Sequence, residues 1–371
     1  MKKFLSTVVA VIVGLVIGFL FGLIVAANSN NTPLYITIIV FVISIIIAFT
    51  LGIIIHESGH LFFGLLTGYQ FNSFRIGKII IIKQNNHLNI KKLAISGTGG
   101  QCLLQPPKYS VDFPYFLYNA GGGLFNLLVS FLSFILLLDQ TNEIIKIGLI
   151  SLSIINLYLG LVNLIPLRLA VPNDGYNILS IIKNPESRYS FYSQLQINYL
   201  QTNNIPFKDM DACLFWLPKD ANLNNPLNQA ILFAQVDSLH EQFKFHGAKI
   251  LIEQILNNCQ LIAYYSNSLK LEYLFYLIIE DEISKAKDLF YELKPFINQT
   301  LKNNIINCYR IMYAYELLIN HDYQEAMTYY TKIENIIPSY PYPNVIKTEK
   351  QILALIKQIS VEHTNKTSLC N

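Results

Sequence analysis

Charge is scarce in this 371-residue chain: Asp, Glu, Lys and Arg make up 14% of it, against 52% hydrophobic residues. With a mean hydropathy of +0.37, that scarcity excludes a soluble protein with an ordinary solvated surface. Basic runs are missing too. No Lys/Arg block exceeds two residues and the formal net charge is only +3, so nucleic acid is excluded as a partner. The five cysteines (Cys102, Cys213, Cys259, Cys308 and Cys370) are odd in number, far apart and without a CxxC pair. They argue against a disulfide framework or a cysteine metal site, and for reduced thiols. The abundance of Ile, Asn, Lys and Tyr is what an AT-rich genome encodes, a hint of bacterial origin.

Long apolar runs fill the first half instead. Four read as membrane spans, at about 4–27, 34–66, 114–138 and 144–166, each long enough for the ~20 residues a bilayer requires. The first follows Lys2 and Lys3, is longer than a secretory h-region and lacks a small-x-small cleavage site before Asn28, so it reads as a span. Arg75, Lys78, Lys83, Lys91, Lys92 and Lys108 gather between spans two and three. Positive charge is retained on the cytoplasmic side, which predicts a multi-pass protein of the cell membrane with both termini in the cytoplasm.

Residues 69–104 turn β-branched, with Ile79 to Ile82 and Leu88 to Ile95 flanking the turn signal Asn85-Asn86. A short sheet at the membrane face is expected, ending in Gly97-Thr98-Gly99-Gly100, whose glycines allow tight turns and close approach of another backbone. A plain connecting loop is the alternative. Beyond Tyr176 the pattern becomes helical up to about Gln358. Ile279, Ile283, Ala286, Leu289 and Leu293 recur forty positions on as Ile319, Tyr323, Ala326, Tyr329 and Ile333, and Phe245, Ala248, Leu251 and Ile255 precede them at an offset of thirty-eight. Hairpins of this period suggest tetratricopeptide-like repeats, with an irregular helical bundle as the other option. The fold class expected is an α-helical polytopic membrane protein, with a core at 1–180, a small β segment and a cytoplasmic all-α, TPR-like domain at 181–371.

His56-Glu57-Ser58-Gly59-His60 lies toward the end of span two. Its i, i+4 spacing puts both imidazoles on one helix face at chelating distance, while Glu57 can lean toward a water held by the metal. Two histidines and a carboxylate among Ile, Leu and Phe are costly to place in lipid, so they need partners in the protein interior. A metal site or a satisfied structural cluster meets that need. A catalytic zinc site takes a third protein ligand, and Asp174, in Asn163 to Gly175 (NLIPLRLAVPNDG), reaches the same membrane face by topology. A turn or N-cap role for Asp174 is the competing reading.

HExxH on a membrane helix, followed by an Asn-x-x-Pro and Asp-Gly segment, resembles the site-2 protease family of intramembrane metalloproteases over about the first half of the chain. That resemblance implies one Zn2+ per chain held by His56, His60 and Asp174, Glu57 as general base, and cleavage of membrane-embedded or membrane-adjacent protein or peptide segments. Ala120 to Asn126 (AGGGLFN) is similar to the family's small-residue and asparagine motif. The Asn163-to-Asp174 spacing is longer than the family form, which brings Asn173 forward as a stand-in for Asn163, and a PDZ domain is missing. Asn126 and Asn163 are candidates for holding an unwound substrate backbone, with hydrogen bonding between spans as the alternative. Gly99 and Gly100 are candidates for pairing with it as an added strand.

His87, His240, His246, His321 and His363 have no partner at ligand spacing and read as surface or satisfied residues; Trp216 reads as a packing residue. Besides a membrane substrate and the bilayer, the helical domain suggests a protein partner. The competing function is a catalytically silent membrane scaffold or peptide-export accessory acting through that domain. A metal transporter calls for more intramembrane carboxylates or histidines than the other spans offer.

Overall fold

The computed structural model describes residues 33–93, 98–167 and 172–369, with a few isolated positions between 15 and 23. Gly97 lies outside the described residues, and so does the span expected at 4–27 apart from those isolated positions.

Three described helices are long and apolar enough to cross a membrane: α1 (Leu34–Leu66), α2 (Tyr115–Leu138) and α3 (Glu143–Leu164). They match expected spans two to four. Their β-branched residues are poor intrinsic helix formers, yet a chain in lipid must satisfy its own backbone groups, and only a helix does so within one segment. α3 starts where Asn142 accepts hydrogen bonds from the amides of Ile144 and Ile145 at 3.0 and 3.2 Å, with Glu143 against the positive end of the helix. It stops just before Pro166, as the steric demand of proline on the preceding residue requires.

The chain divides into two compact units, Met1–Phe62 with Ala120–Ile165 and Phe63–Asn119 with Pro166–Asn371. The β segment falls in the second unit together with the ends of two spanning helices, where the Tyr118 hydroxyl donates to the Cys102 carbonyl at 2.7 Å.

In the first unit, glycines set the helix spacing. A Cβ at Gly59 would stand 2.2 Å from the Gly121 carbonyl oxygen, and one at Gly123 would stand 2.5 Å from Leu164 Cγ. Small residues let membrane helices approach closely enough for dispersion to hold them together.

In the second unit, β1 (Gln70–Ile76), β2 (Ile79–Gln84), β3 (His87–Lys92) and β4 (Gly100–Gln105) form an antiparallel sheet of order β3-β2-β1-β4. Asn85 and Asn86 take φ of 49° and 64°, the double left-handed turn that joins a tight hairpin, and Gln84 pairs with His87. Ile80 and Ile82 are buried on one face of the sheet, and Cys102 and Leu104 on the other. After α4 (Asp174–Lys183), α5 (Ser187–Thr202) lies on β4 and β2.

Three helical hairpins follow: α6 (Pro226–Glu241) with α7 (Phe245–Asn258), α8 (Ala263–Ile279) with α9 (Ile283–Lys302), and α10 (Ile306–Leu318) with α11 (Tyr323–Ile336), before α12 (Pro343–Leu369). The self-similar segments are the second helices of these pairs. Ala248, Ala286 and Ala326 are each 0% exposed, so the small residue recurs where helices touch. Phe243, Asp281 and His321, two residues before each second helix, all adopt a left-handed φ, between 55° and 62°. One turn conformation is therefore used three times, although none of the three residues is glycine.

Candidate metal centre

His56, Glu57 and His60 sit in α1, about two to three turns before its end at Leu66. Helical spacing stacks the two imidazoles: the rings meet edge to face at 4.7 Å, and His60 Nε2 lies 3.1 Å from His56 Nε2. His60 and Glu57 are each 7% exposed. The other nitrogen of His56, Nδ1, lies 2.9 Å from Asn126 Oδ1. An amide oxygen only accepts, so Nδ1 carries the proton and the Nε2 lone pair is left facing His60.

Asn126 is itself fixed. It is 0% exposed, and its Nδ2 donates to the Gly52 carbonyl at 2.9 Å and to Asn156 Oδ1 at 2.8 Å. Asn156 in turn donates to the Leu152 carbonyl at 2.8 Å. This chain of amides ties α1, α2 and α3 together and ends on the His56 ring. Gly122 makes room for the ring: a Cβ there would fall 2.5 to 2.7 Å from three of its atoms.

Asp174 is the first residue of α4, and the N-cap is Asn173, whose Oδ1 accepts from the amides of Tyr176 at 2.9 Å and Leu167 at 3.1 Å. Capping thus falls to Asn173 rather than to Asp174. His56, His60 and Asp174 each bring one ligand atom within 4.8 Å of the others, and among the described residues they are the cluster able to hold a metal ion.

The donor set fits a metal. Two nitrogens bound at about 2.0 to 2.1 Å around a tetrahedral ion stand about 3.4 Å apart, a few tenths of an ångström from the observed separation. Two imidazoles and one carboxylate are donors that a divalent cation accepts. Asn126 supplies the outer hydrogen bond that fixes ring orientation at such sites.

The remaining expected residues separate. Asn126 makes the hydrogen bonds between helices that the sequence left as one of two options. Asn163 donates to the Leu159 carbonyl of its own helix at 2.9 Å. Gly99 accepts from the Gly77 amide at 2.8 Å, and Gly100 opens β4 opposite Ile76, its carbonyl taking a hydrogen bond from buried Arg75 at 3.1 Å. Asn156 and the role of Gly122 were missed. An amide in the middle of an apolar helix was the available signal for Asn156; no local signal reveals which ring a glycine accommodates.

Comparisons with protein-family models, curated proteins and solved structures return no match.

Proposed function

We propose that the protein is an intramembrane zinc metalloprotease of the site-2 protease type. The observation that carries this reading is the convergence of His56, His60 and Asp174, with Glu57 beside the first ligand in a helix long enough to cross a membrane. When bound there, zinc supplies Lewis-acid polarisation of a carbonyl and acidifies water.

The chain's own groups supply the rest. Glu57 takes a proton from the attacking water and returns it to the leaving amine. Asn126 keeps His56 in the tautomer that offers Nε2, so the ligand set is organised before substrate arrives. A helical substrate hides its carbonyls in internal hydrogen bonds and must unwind first. β4 is an edge strand, and in this reading an unwound segment adds to its outer side near Gly99 and Gly100. Asn163 is a further substrate contact in this reading. The four-span topology, cytoplasmic termini and tetratricopeptide-like identity of the helical hairpins, which would recruit or gate substrate, belong to the same proposal.

Glu57→Gln tests it. The variant should keep its metal and fold yet lose cleavage of a membrane-anchored reporter and any phenotype of the wild-type gene. A phenotype that survives the substitution favours the scaffold.

A further inference from the structure

The outer strand of the sheet wears its polarity inside out. In β3, His87, Asn89 and Lys91 share a face with buried Ile80 and Ile82, the face from which Gln84 donates to the Thr202 carbonyl of α5 at 3.1 Å, while Leu88 and Ile90 stand on the other side. Register puts Ile81 opposite Ile90, Lys83 opposite Leu88 and Ile79 opposite Lys92. Four large apolar side chains therefore share that side, from 37% exposed at Ile81 to 74% exposed at Ile90. A sheet face turned to water carries its polar residues there, and the unbroken run Ile79 to Ile82 belongs to a strand covered on both faces.

The other end of the same face indicates what covers it. Cys102 and Leu104 of β4 stand there and are buried, because the end of α1 and the start of α2 lie on them. A Cβ at Gly64 would fall 2.2 Å from Leu104 Cδ1 and 3.1 Å from Tyr118 Cδ2, and Tyr118 donates its hydroxyl to the Cys102 carbonyl at 2.7 Å. The exposed half of the face thus lies on the side of the sheet where both spanning helices meet it. No Asp or Glu stands between Glu57 and Asp112, so Lys83 and Lys92, at the margins of the apolar patch, have no carboxylate within the β segment to pair with. Apolar side chains bordered by lysines suit the interfacial layer of an anionic leaflet.

We propose that this face of β2 and β3 docks on the lipid surface, with Ile79, Ile81, Leu88 and Ile90 entering the interfacial layer and Lys83 and Lys92 meeting the phosphates of anionic headgroups. This docking rests on the reading of α1 and α2 as membrane spans, not on the metal centre.

Trp216 is the single tryptophan of the chain, so single-tryptophan variants of the full-length protein in a Trp216→Phe background test the docking. They are placed in lipid nanodiscs with brominated phosphatidylcholine as the quencher and phosphatidylglycerol as the anionic lipid. Ile46→Trp, on the exposed side of α1, should be quenched as a span residue, and Ile90→Trp and Leu88→Trp should be quenched with it. His87→Trp, on the other side of the sheet, should not. Lys83→Gln with Lys92→Gln, or discs without phosphatidylglycerol, should lower the quenching of Ile90→Trp, since each lysine favours contact with an anionic surface about fivefold. An unquenched Ile46→Trp overturns the membrane reading itself. A quenched Ile46→Trp with Ile90→Trp and Leu88→Trp no different from His87→Trp overturns the docking alone, and quenching at position 90 that ignores both the lysines and phosphatidylglycerol overturns the role of anionic headgroups.

Discussion

His56 Nδ1 lies 2.9 Å from Asn126 Oδ1, which fixes the ring so that its other nitrogen faces His60 Nε2 at 3.1 Å. The relationship makes Asn126 a positioning residue for the cluster, although it offers no ligand itself. Asn126→Ala removes the acceptor and frees the imidazole to rotate or change tautomer. The expected result is a 10- to 100-fold loss of zinc affinity, on the order seen for outer-shell partners, with helix content intact. Competition with a chromophoric chelator measures it; unchanged affinity would show that the ring needs no such support.

Glycine substitutions should separate by what surrounds them. Gly122→Ala drives a methyl group into the His56 ring, so it should weaken metal binding more than it weakens the fold. Gly59→Ala meets backbone, the Gly121 carbonyl, and must push two helices apart; overpacking of this kind costs about 1 to 3 kcal/mol. Gly148→Ala in α3 has open space around it and should be neutral or stabilising by up to about 1 kcal/mol. Thermal melts of the three variants give the order; Gly148→Ala as the most damaging would contradict it.

Much of this fold was legible locally. Spans of Ile, Leu and Phe announced α1, α2 and α3; Asn85-Asn86 announced the hairpin turn, because asparagine tolerates the left-handed conformation; and Ala286 with Ala326 announced two equivalent helices. The HExxH spacing put His56 and His60 together for the same reason, since i, i+4 geometry is set by the helix alone. What stayed hidden depends on tertiary placement. The amide chain from Asn156 through Asn126 to His56 joins three helices, the sheet packs on α5, and Asp237 meets Glu272 across two helices.

Arg310 is a buried cation shared by two carboxylates, and it also lies 4.3 Å from the centre of the Phe275 ring. Removing it leaves Glu272 and Glu349 unpaired in the interior. Arg310→Met should therefore destabilise the helical unit by about 3 to 5 kcal/mol, with Glu349→Gln costing less because the Glu272 pair survives. Urea titration followed by circular dichroism measures the difference; equal effects would mean that the two carboxylates do not share the cation.

Asp237 and His240 pull the pH dependence in opposite directions. Asp237 rises from the usual 3.8 to about 7, so the folded state holds a proton the unfolded state has released. Its contribution is complete below about 4 and is lost as pH climbs through about 7. Burial, and then the charge of Arg310, lower His240 from 6.5 to about 4, so its contribution is complete above about 6.5 and is lost as pH falls toward 4. In the wild type the two offset each other. Asp237→Asn should lose stability relative to wild type as pH drops from 7 to 4, read from urea midpoints across that range; parallel curves would contradict the assignment.

The most direct test is the metal content of protein purified without added chelator, measured by inductively coupled plasma mass spectrometry alongside the His60→Ala and Asp174→Ala variants. The account predicts about one zinc per chain in the wild type, and loss of that zinc in both variants with helix content preserved. A wild type without stoichiometric metal, or an Asp174→Ala protein that keeps its zinc at unchanged affinity, would contradict it.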